Sequence, residues 1–534
     1  MRRLTRGRDQ HTEVWWAVPL TNTGDFFMTT LPLRSSLIVV GLSLASVQPA
    51  IAQLKPIVMS DVKHDISPSM KDWRPGPERP DFEEEMLEPV LLATPNEPQV
   101  DPAEQRIHGQ PLPLTVNLGF DGLGDGVYGF SVSGSPPDPT GAVGATQYVQ
   151  WVNTSYAVFD KNTGELLAGP NRGNRLWEGF GGGCEANNNG DPMVVYDKLA
   201  DRWVLSQLSI RTQPYLQCIA VSTSNDATDT FYRYAFVINT FPDYGKLGVW
   251  PDAYYMGFNS GPNPVCAFER EAMLQGLDAG QVCFQPFQGL MLPSDLDGLT
   301  PPPAGSPNYF MRLSSNNRSL ILNKFHVDFA NPSQSTLTGP INIAVDPFTR
   351  LSGRVPQPET SNSLDILSLW LMYRVAYRNF GDHESLVLNH SVQGSSGGGG
   401  VRWYEIQDPN GEPVVYQQGS FVPDSNYRWM GSIAMDQAGN IALGYSLSSS
   451  NIHPSVAITG RQLGDPLGTL GAEVVLADGT GSQTGTLGRW GDYSTMSVDP
   501  LDDCTFWYTS EYHKTSGRPW STWIASFKFD NCGM

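Results

Sequence analysis

Apolar and polar positions alternate in short runs along much of this chain. Met496 and Val498 alternate with Thr495 and Ser497, Asp499-Pro500-Leu501-Asp502-Asp503 supplies turn residues, and Cys504, Phe506 and Tyr508 alternate with Thr505, Trp507 and Thr509. A period of two is that of a strand buried on one face. The stretch therefore predicts a hairpin, read as the middle hairpin of a terminal repeat. The same order of strand, Asp, short turn and strand occurs in "NTSYAVFDKNTGELLA" from Asn153, "PMVVYDKLADRWVLSQ" from Pro192 and "GSIAMDQAGNIALGYS" from Gly431. The aspartates are Asp160, Asp197, Asp436 and Asp499. Each stands where its side chain can bond its own backbone through the turn.

Asp160 and Asp197 lie 37 residues apart, near the ~40 to 50 residues of one four-stranded propeller blade. Strand-rich stretches near Val249 to Asn259, Tyr309 to Phe329 and Leu369 to Ile406 bring the units to seven. The predicted fold is an all-β single β-propeller of seven blades, with six blades and a pair of β-sandwich domains as competitors. "QGSSGGGG" at Gln393 to Gly400 reads as a loop inside one blade, because strand-like sequence resumes at once. Composition agrees. Charged residues are 16%, aromatics reach 11%, and Gly and Pro number 54 and 42, the balance of many short strands joined by turns. A formal charge of −20 excludes sequence-independent affinity for nucleic acid, which needs clustered Lys and Arg.

The beginning of the chain reads as an address. Residues 28–52 carry Arg34 as a basic flank, an apolar run from Leu37 to Val47 and a small-residue cleavage signature at Ala50-Ile51-Ala52. Residues 1–27 fit no part of such a signal and read as a gene-model extension. The expected destination is the periplasm or the outside of the cell, with no stable membrane insertion after cleavage. Residues 53–125 are rich in Pro and acid, a composition that cannot bury a core of its own. They are expected to form a linker or an extended N-terminal arm on a propeller of residues 126–534. The six cysteines contain no C-x-x-C pair; in an oxidising compartment they read as disulfides. Sequence proximity favours Cys184 with Cys218, Cys266 with Cys283 and Cys504 with Cys532.

Stretches such as "VWPDAYYM" from Val249, "RWGDYSTM" from Arg489, "RWMGSIAM" from Arg428 and "NGDPMVVY" from Asn189 share a second pattern. With "RNFGDHESLVLNH" and "LPSDLDGLTPPPAGSPNYF", they resemble exported bacterial β-propeller proteins near the sialidase-like, BNR/Asp-box superfamily, over about Gly134 to Cys532. The resemblance implies a propeller and no particular substrate. The segment Ala434 to Asn440 matches the superfamily's Asp-box in part, without the hydroxyl residue before Asp436 and the Thr-Trp after Gly439. Such a box shapes a hairpin turn rather than touching a ligand.

The candidate chemistry follows from the same stretches. Sialidase-like chemistry binds a sugar carboxylate with several arginines, whose planar forks pair bidentately with carboxylate. Arg374, Arg428 and Arg489 precede or open strands in different units, with Arg378 as a fourth. The alternative is that they stack on Trp429 and Trp490 or cap strand ends. Asp252 and Asp492, with His383 beside Asp382 and Glu384, supply acid and base groups for glycoside hydrolysis. Asp191, Asp252 and Asp492 could instead hold Ca²⁺ through oxygen ligands, or each could cap backbone N–H groups. Asp295 and Asp297, and "ANNNGD" at Ala186 to Asp191, are lesser Ca²⁺ candidates. Most of the tryptophans from Trp370 onward are expected in the core, with two or three left for a ligand. Two functions stand: binding or degradation of extracellular carbohydrate at the channel mouth, and a non-catalytic surface-interaction module.

Overall fold

The computed structural model describes residues 54–73, 98–132, 134–485 and 488–533. The signal-peptide and gene-model readings, on residues 1–52, lie outside the described residues. Among these, strands form seven four-stranded antiparallel meanders, here blades 1 to 7: 140–172, 193–237, 246–284, 292–344, 372–421, 427–477, and 495–529 completed by Leu114–Asp121. The innermost strands are Thr140–Val143, Met193–Asp197, Lys246–Val249, Leu292–Leu296, Met372–Asn379, Tyr427–Met435 and Thr495–Val498. Each touches the next, and the seventh touches the first, so the ring is closed. Between blades 4 and 5 the inner strands pair directly in parallel, Ser294 with Val375 and Leu296 with Tyr377. Seven blades displace both the six-bladed and the sandwich alternatives.

Ring closure uses a strand from the other end of the chain. Leu114–Asp121 lies antiparallel on Ser521–Phe529, from Phe529 opposite Leu114 to Trp523 opposite Asp121. Blade 7 is thus built from both ends of the ring, and residues that composition assigned to the arm complete it. The Cys504–Cys532 disulfide ties the turn after the blade's inner strand to the chain end. Cys184–Cys218 and Cys266–Cys283 are the other two bridges, so all three pairings expected from proximity are present. Thr495–Val498 is the innermost strand of blade 7 rather than part of a middle hairpin. Alternation identifies a strand without saying which of four it is.

Other described residues of the arm lie along blade edges. Ile57–Ser60 adds a fifth strand to blade 3, Lys63–Ile66 adds one to blade 2, and Glu104–Gln105 pairs with the outer strand of blade 5. Unpaired edges invite intermolecular pairing, and the arm covers three of them. Charge fixes it in place: the Arg233 guanidinium takes both oxygens of Asp65 at 2.7 Å, and buried Arg402 takes Asp101 at 2.7 Å.

Aromatic side chains fill the seams between blades. Tyr148 stacks on Trp507 across the closing seam at 5.2 Å, Phe236 meets Phe268 between blades 2 and 3 at 4.7 Å, and Trp250 meets Tyr377 at 4.7 Å. Trp403, Trp429, Trp490, Trp507 and Trp520 are all buried, as blades packed face to face require large residues between them. Turn aspartates behave as expected. Asp160 accepts from the Asn162 and Thr163 amides, Asp436 from Ala438 and Asn440, and Asp499 from Leu501. Asp197, Asp436 and Asp499 all follow inner strands, whereas Asp160 closes the third strand of blade 1.

Candidate functional site

All seven inner strands run the same way along the channel, so residues just before them gather at one end, here the leading end. Residues just after them gather at the opposite, trailing end. The trailing end and the channel wall are held by ion pairs between blades. Arg270 clasps Asp197 at 2.6 Å, Lys161 pairs with Asp499 at 2.7 Å, and Arg378 takes both oxygens of Asp503 at 2.7 Å. Inside the channel, Arg374 pairs with Asp295 at 2.8 Å and Asp297 at 2.7 Å, and donates to the Met496 carbonyl at 3.3 Å. Lys198 reaches Asp297 from blade 2 at 3.0 Å. Burial opposes the Asp297 charge, but Arg374 and Lys198 outweigh it and hold the carboxyl well below the usual range. The cavity beside this network, lined by Asp295, Arg374 and inner-strand residues of blades 1, 2 and 7, measures about 20 Å³. That is room for a water rather than a sugar.

The leading end is different. Asp138, Asp191, Tyr244 and Asp492 precede the inner strands of blades 1, 2, 3 and 7, each in the left-handed region with φ of 48°, 47°, 52° and 57°. Aspartate tolerates that conformation better than most residues, and the repeated turn points three carboxylates from consecutive blades, 7, 1 and 2, into one region. Asp191 accepts from the Tyr244 amide at 2.7 Å, and the Tyr244 hydroxyl donates to the Asp492 carbonyl at 2.8 Å. Asn153 donates to Asp138 Oδ2 at 3.0 Å. Arg489 lies between two carboxylates, 2.6 Å from Asp492 and 3.0 Å from Asp365. Lys246, fully buried, holds its ammonium 3.5 Å and 3.7 Å from the ring centres of Tyr244 and Tyr493, a desolvated cation–π sandwich. Trp370, half-buried, packs on Tyr244 at 5.3 Å.

Electrostatics sets this end apart. Asp138 is 2% exposed and Asp492 7%, and Oδ1 of each is buried without a hydrogen-bond partner. Burial, then Asp492 and Asp191, push the Asp138 carboxyl well above the ordinary range. Burial, then Asp492, does the same to Asp365, and burial raises Glu511, whose Oε2 accepts the Gly491 amide at 2.7 Å. Burial lowers Lys246 to about 8, against the opposing pull of Asp191 and Asp138. For Arg489, burial works against the charge, and Asp492 and Asp365 outweigh it.

The candidates chosen from sequence divide among these places. Asp191, Arg489 and Asp492 meet at the leading end. Asp252 and His383 sit in turns that follow inner strands, at the trailing end. Asp252 receives the Tyr255 hydroxyl at 3.2 Å on both oxygens, and burial raises it to about 6; His383 pairs with Asp382 at 2.7 Å and stacks on Phe380 at 4.8 Å. Arg374 belongs to the channel network. Arg428 is held by Asp424 at 2.9 Å and Glu473 at 2.7 Å. The three arginines therefore share no pocket, and each is taken by carboxylates of the protein itself. Nor do Asp191, Asp252 and Asp492 form one metal site, because Asp252 lies at the other end of its strand. The error has a simple origin: "VWPDAYYM" and "RWGDYSTM" look alike, but Asp252 follows Lys246–Val249 while Asp492 precedes Thr495–Val498. Tyr244 occupies the corresponding position in blade 3. Asp295 and Asp297 are taken by Arg374. Among the described residues, the group whose ligand atoms lie within 4.8 Å of one another is Asp61, His64 and Asp278, on the arm and the edge of blade 3.

Sequence reasoning missed Asp138, Tyr244, Lys246, Asp365, Tyr493 and Glu511. A signal for Asp138 was present: "PPDPTGAV" and "NGDPMVVY" both place Asp-Pro directly before an inner strand.

No family model matches this chain, and no curated protein matches it. Among solved structures, an endo-arabinase from Bacteroides thetaiotaomicron is similar at 12% identity and a TM-score of 0.25, over 60% of this chain and 88% of its own. An exo-beta-1,3-galactanase from Clostridium thermocellum is similar at 10% identity and a TM-score of 0.31, over 74% and 92%. The extracellular domains of Drosophila Semaphorin 1b are similar at 7% identity and a TM-score of 0.35, over 80% and 88%.

Proposed function

We propose that this is an exported or periplasmic β-propeller protein that takes extracellular carbohydrate at the leading end of its channel. The observation that carries the reading is the pair of buried carboxylate oxygens, Asp138 Oδ1 and Asp492 Oδ1, left without partners at the end of the channel where Trp370 packs on Tyr244. An ionised carboxylate accepts hydrogen bonds and a neutral carboxyl both donates and accepts, sugar hydroxyls do both, and a half-buried indole offers a flat apolar face to a sugar ring. A buried Asp138 favouring its neutral form beside Asp492 also resembles the divided acid and base roles of glycoside hydrolysis. Three disulfides support an oxidising destination, and among the described residues no helix is long and apolar enough to cross a membrane.

A glycan array with wild type, Asp492→Ala and Trp370→Ala, paired with hydrolysis and lyase assays on the bound glycans, tests this. Both variants are expected to lose binding at least about tenfold, the cost of one charge-assisted hydrogen bond or one stacked ring. Wild type binding no glycan, or variants binding as wild type, would overturn it. Turnover separates an enzyme from a binding module. Burial of Asp138 and Asp492 favours the second reading, a non-catalytic surface-interaction propeller.

A further inference from the structure

The leading end differs from a site for acidic sugars in what it leaves unused. Its arginine between the carboxylates, Arg489, is engaged by Asp365 and Asp492, and Arg354 donates to the Gly488 and Ser363 carbonyls. Its lysine, Lys246, is fully buried between two tyrosine rings. What remains for an incoming group is acceptor: the partnerless Oδ1 atoms of Asp138 and Asp492, with half-exposed Asp191 beside them and Trp370 at the edge. A sugar carboxylate placed here would meet like charge and find no free fork to bind it. An ammonium would bring three donors to these oxygens and a charge opposite to that of the surrounding carboxylates.

Resting on the carbohydrate reading above, we infer that the ligand is a polysaccharide with free amino sugars, whose ammonium group is bound between Asp138 and Asp492 while its ring lies on Trp370. The ammonium fits better than a neutral hydroxyl because burial and the facing charges of Asp492 and Asp191 work against the Asp138 carboxylate, and a cation bound at the Oδ1 atoms, where neither aspartate has a hydrogen-bond partner, would offset that repulsion. The indole then supplies what a charge alone lacks, a surface for the sugar ring. Acidic sugars, the ligands of sialidase-like chemistry, are disfavoured on the same ground.

The test is calorimetric titration of the whole protein with three oligomers of equal length: a glucosamine hexamer, its N-acetylated counterpart and a galacturonate hexamer. The glucosamine hexamer is expected to bind at least about tenfold more tightly than the N-acetylated form, and the galacturonate hexamer not at all. Asp138→Asn and Asp492→Asn, which keep the side-chain shape, are expected to remove the preference for the free amine. Under Trp370→Ala all binding weakens while the preference stays. Equal binding of the free and acetylated hexamers, or tightest binding of galacturonate, would overturn the inference and leave the carbohydrate reading standing. Loss of binding to every oligomer here and to every glycan on the array would overturn the carbohydrate reading itself. Unfolding midpoints of the two Asn variants within a few degrees of wild type confirm that the comparison concerns binding.

Discussion

Replacing Arg374 by alanine distinguishes an arginine that supports the ring from one that meets a ligand. Arg374 is 2% exposed. Its Nε donates to Asp295 at 2.8 Å, its Nη1 donates to Asp297 at 2.9 Å, and the Met496 carbonyl accepts at 3.3 Å. Truncation leaves two buried carboxylates with less countercharge. Asp297 keeps Lys198 at 3.0 Å, and Asp295 keeps only the Val249 amide at 2.9 Å. Breaking a buried pair from one side costs about 3–5 kcal/mol, because the abandoned charge stays desolvated. Arg374→Ala is expected in that range, measured by reversible urea unfolding at pH 7. Removing Asp295 together with the arginine should recover much of the loss, since Asp297 keeps Lys198 and no buried charge is then left unpaired. The pH dependence has a definite sign. Asp297 is depressed in the folded state, so its stabilising contribution is present above the ordinary carboxylate pKa and lost as pH falls below it. In the variant the same carboxyls are relieved by protonation, so the deficit against wild type should shrink from pH 7 to pH 4. A deficit below about 1 kcal/mol, or one that does not change with pH, would refute the account of Arg374 as a buried countercharge.

Cys504→Ser with Cys532→Ser opens a loop of sequence separation 28; chain entropy predicts a loss of about 3–4 kcal/mol, with limited proteolysis beginning at blade 7 in the variant and not in wild type. Asp252→Asn should raise stability at pH 8 and leave it unchanged near pH 4. A buried carboxyl raised to about 6 loses stability as pH climbs from its unfolded to its folded value, and the amide removes that loss, worth up to about 3 kcal/mol at pH 8. His383→Ala is expected to stay within about 0.5 kcal/mol of wild type in stability and to leave glycan binding unchanged, because His383 is partly exposed at the trailing end.

Much of the ring was legible along the chain because its signal is local. Strand alternation, an Asp-bearing turn and a repeat near 37 residues are read within one window, and they led to seven units. The disulfides were legible for a related reason, since each joins residues close in sequence: two within or at the end of one blade, and Cys184, in the short helix before blade 2, with Cys218 in that blade. What failed was non-local. Period-two alternation does not reveal which strand of a blade is being read, so Asp252 and Asp492 looked equivalent while lying at opposite ends of the channel. Arg374 and Asp295 are 79 residues apart, and Arg402 and Asp101 are 301 apart; no spacing rule connects such partners. Leu114–Asp121 carries Leu114, Leu118 and Phe120 toward the blade, a strand pattern that the Pro- and acid-rich sequence before it obscured.

The two ends of the channel show why residue type is a poor guide to role and saturation a better one. Both carry conspicuous aspartates, and both bury them. At the trailing end, Asp197, Asp499 and Asp503 each face a basic side chain from another blade, and Asp436 is closed by Asn440 and its own turn. In the channel, Asp295 and Asp297 share Arg374. The lone pairs there are spent, and the free energy of those contacts goes into holding blades together. At the leading end the same turn chemistry leaves an oxygen over on Asp138 and another on Asp492, in a place where leaving a buried acceptor unmade costs about 1–3 kcal/mol each. A fold that supplies arginines and lysines to Asp197, Asp499 and Asp503 at the trailing end could have supplied two more here. That it does not is why the carbohydrate reading proposed above places the ligand's donors at these two oxygens.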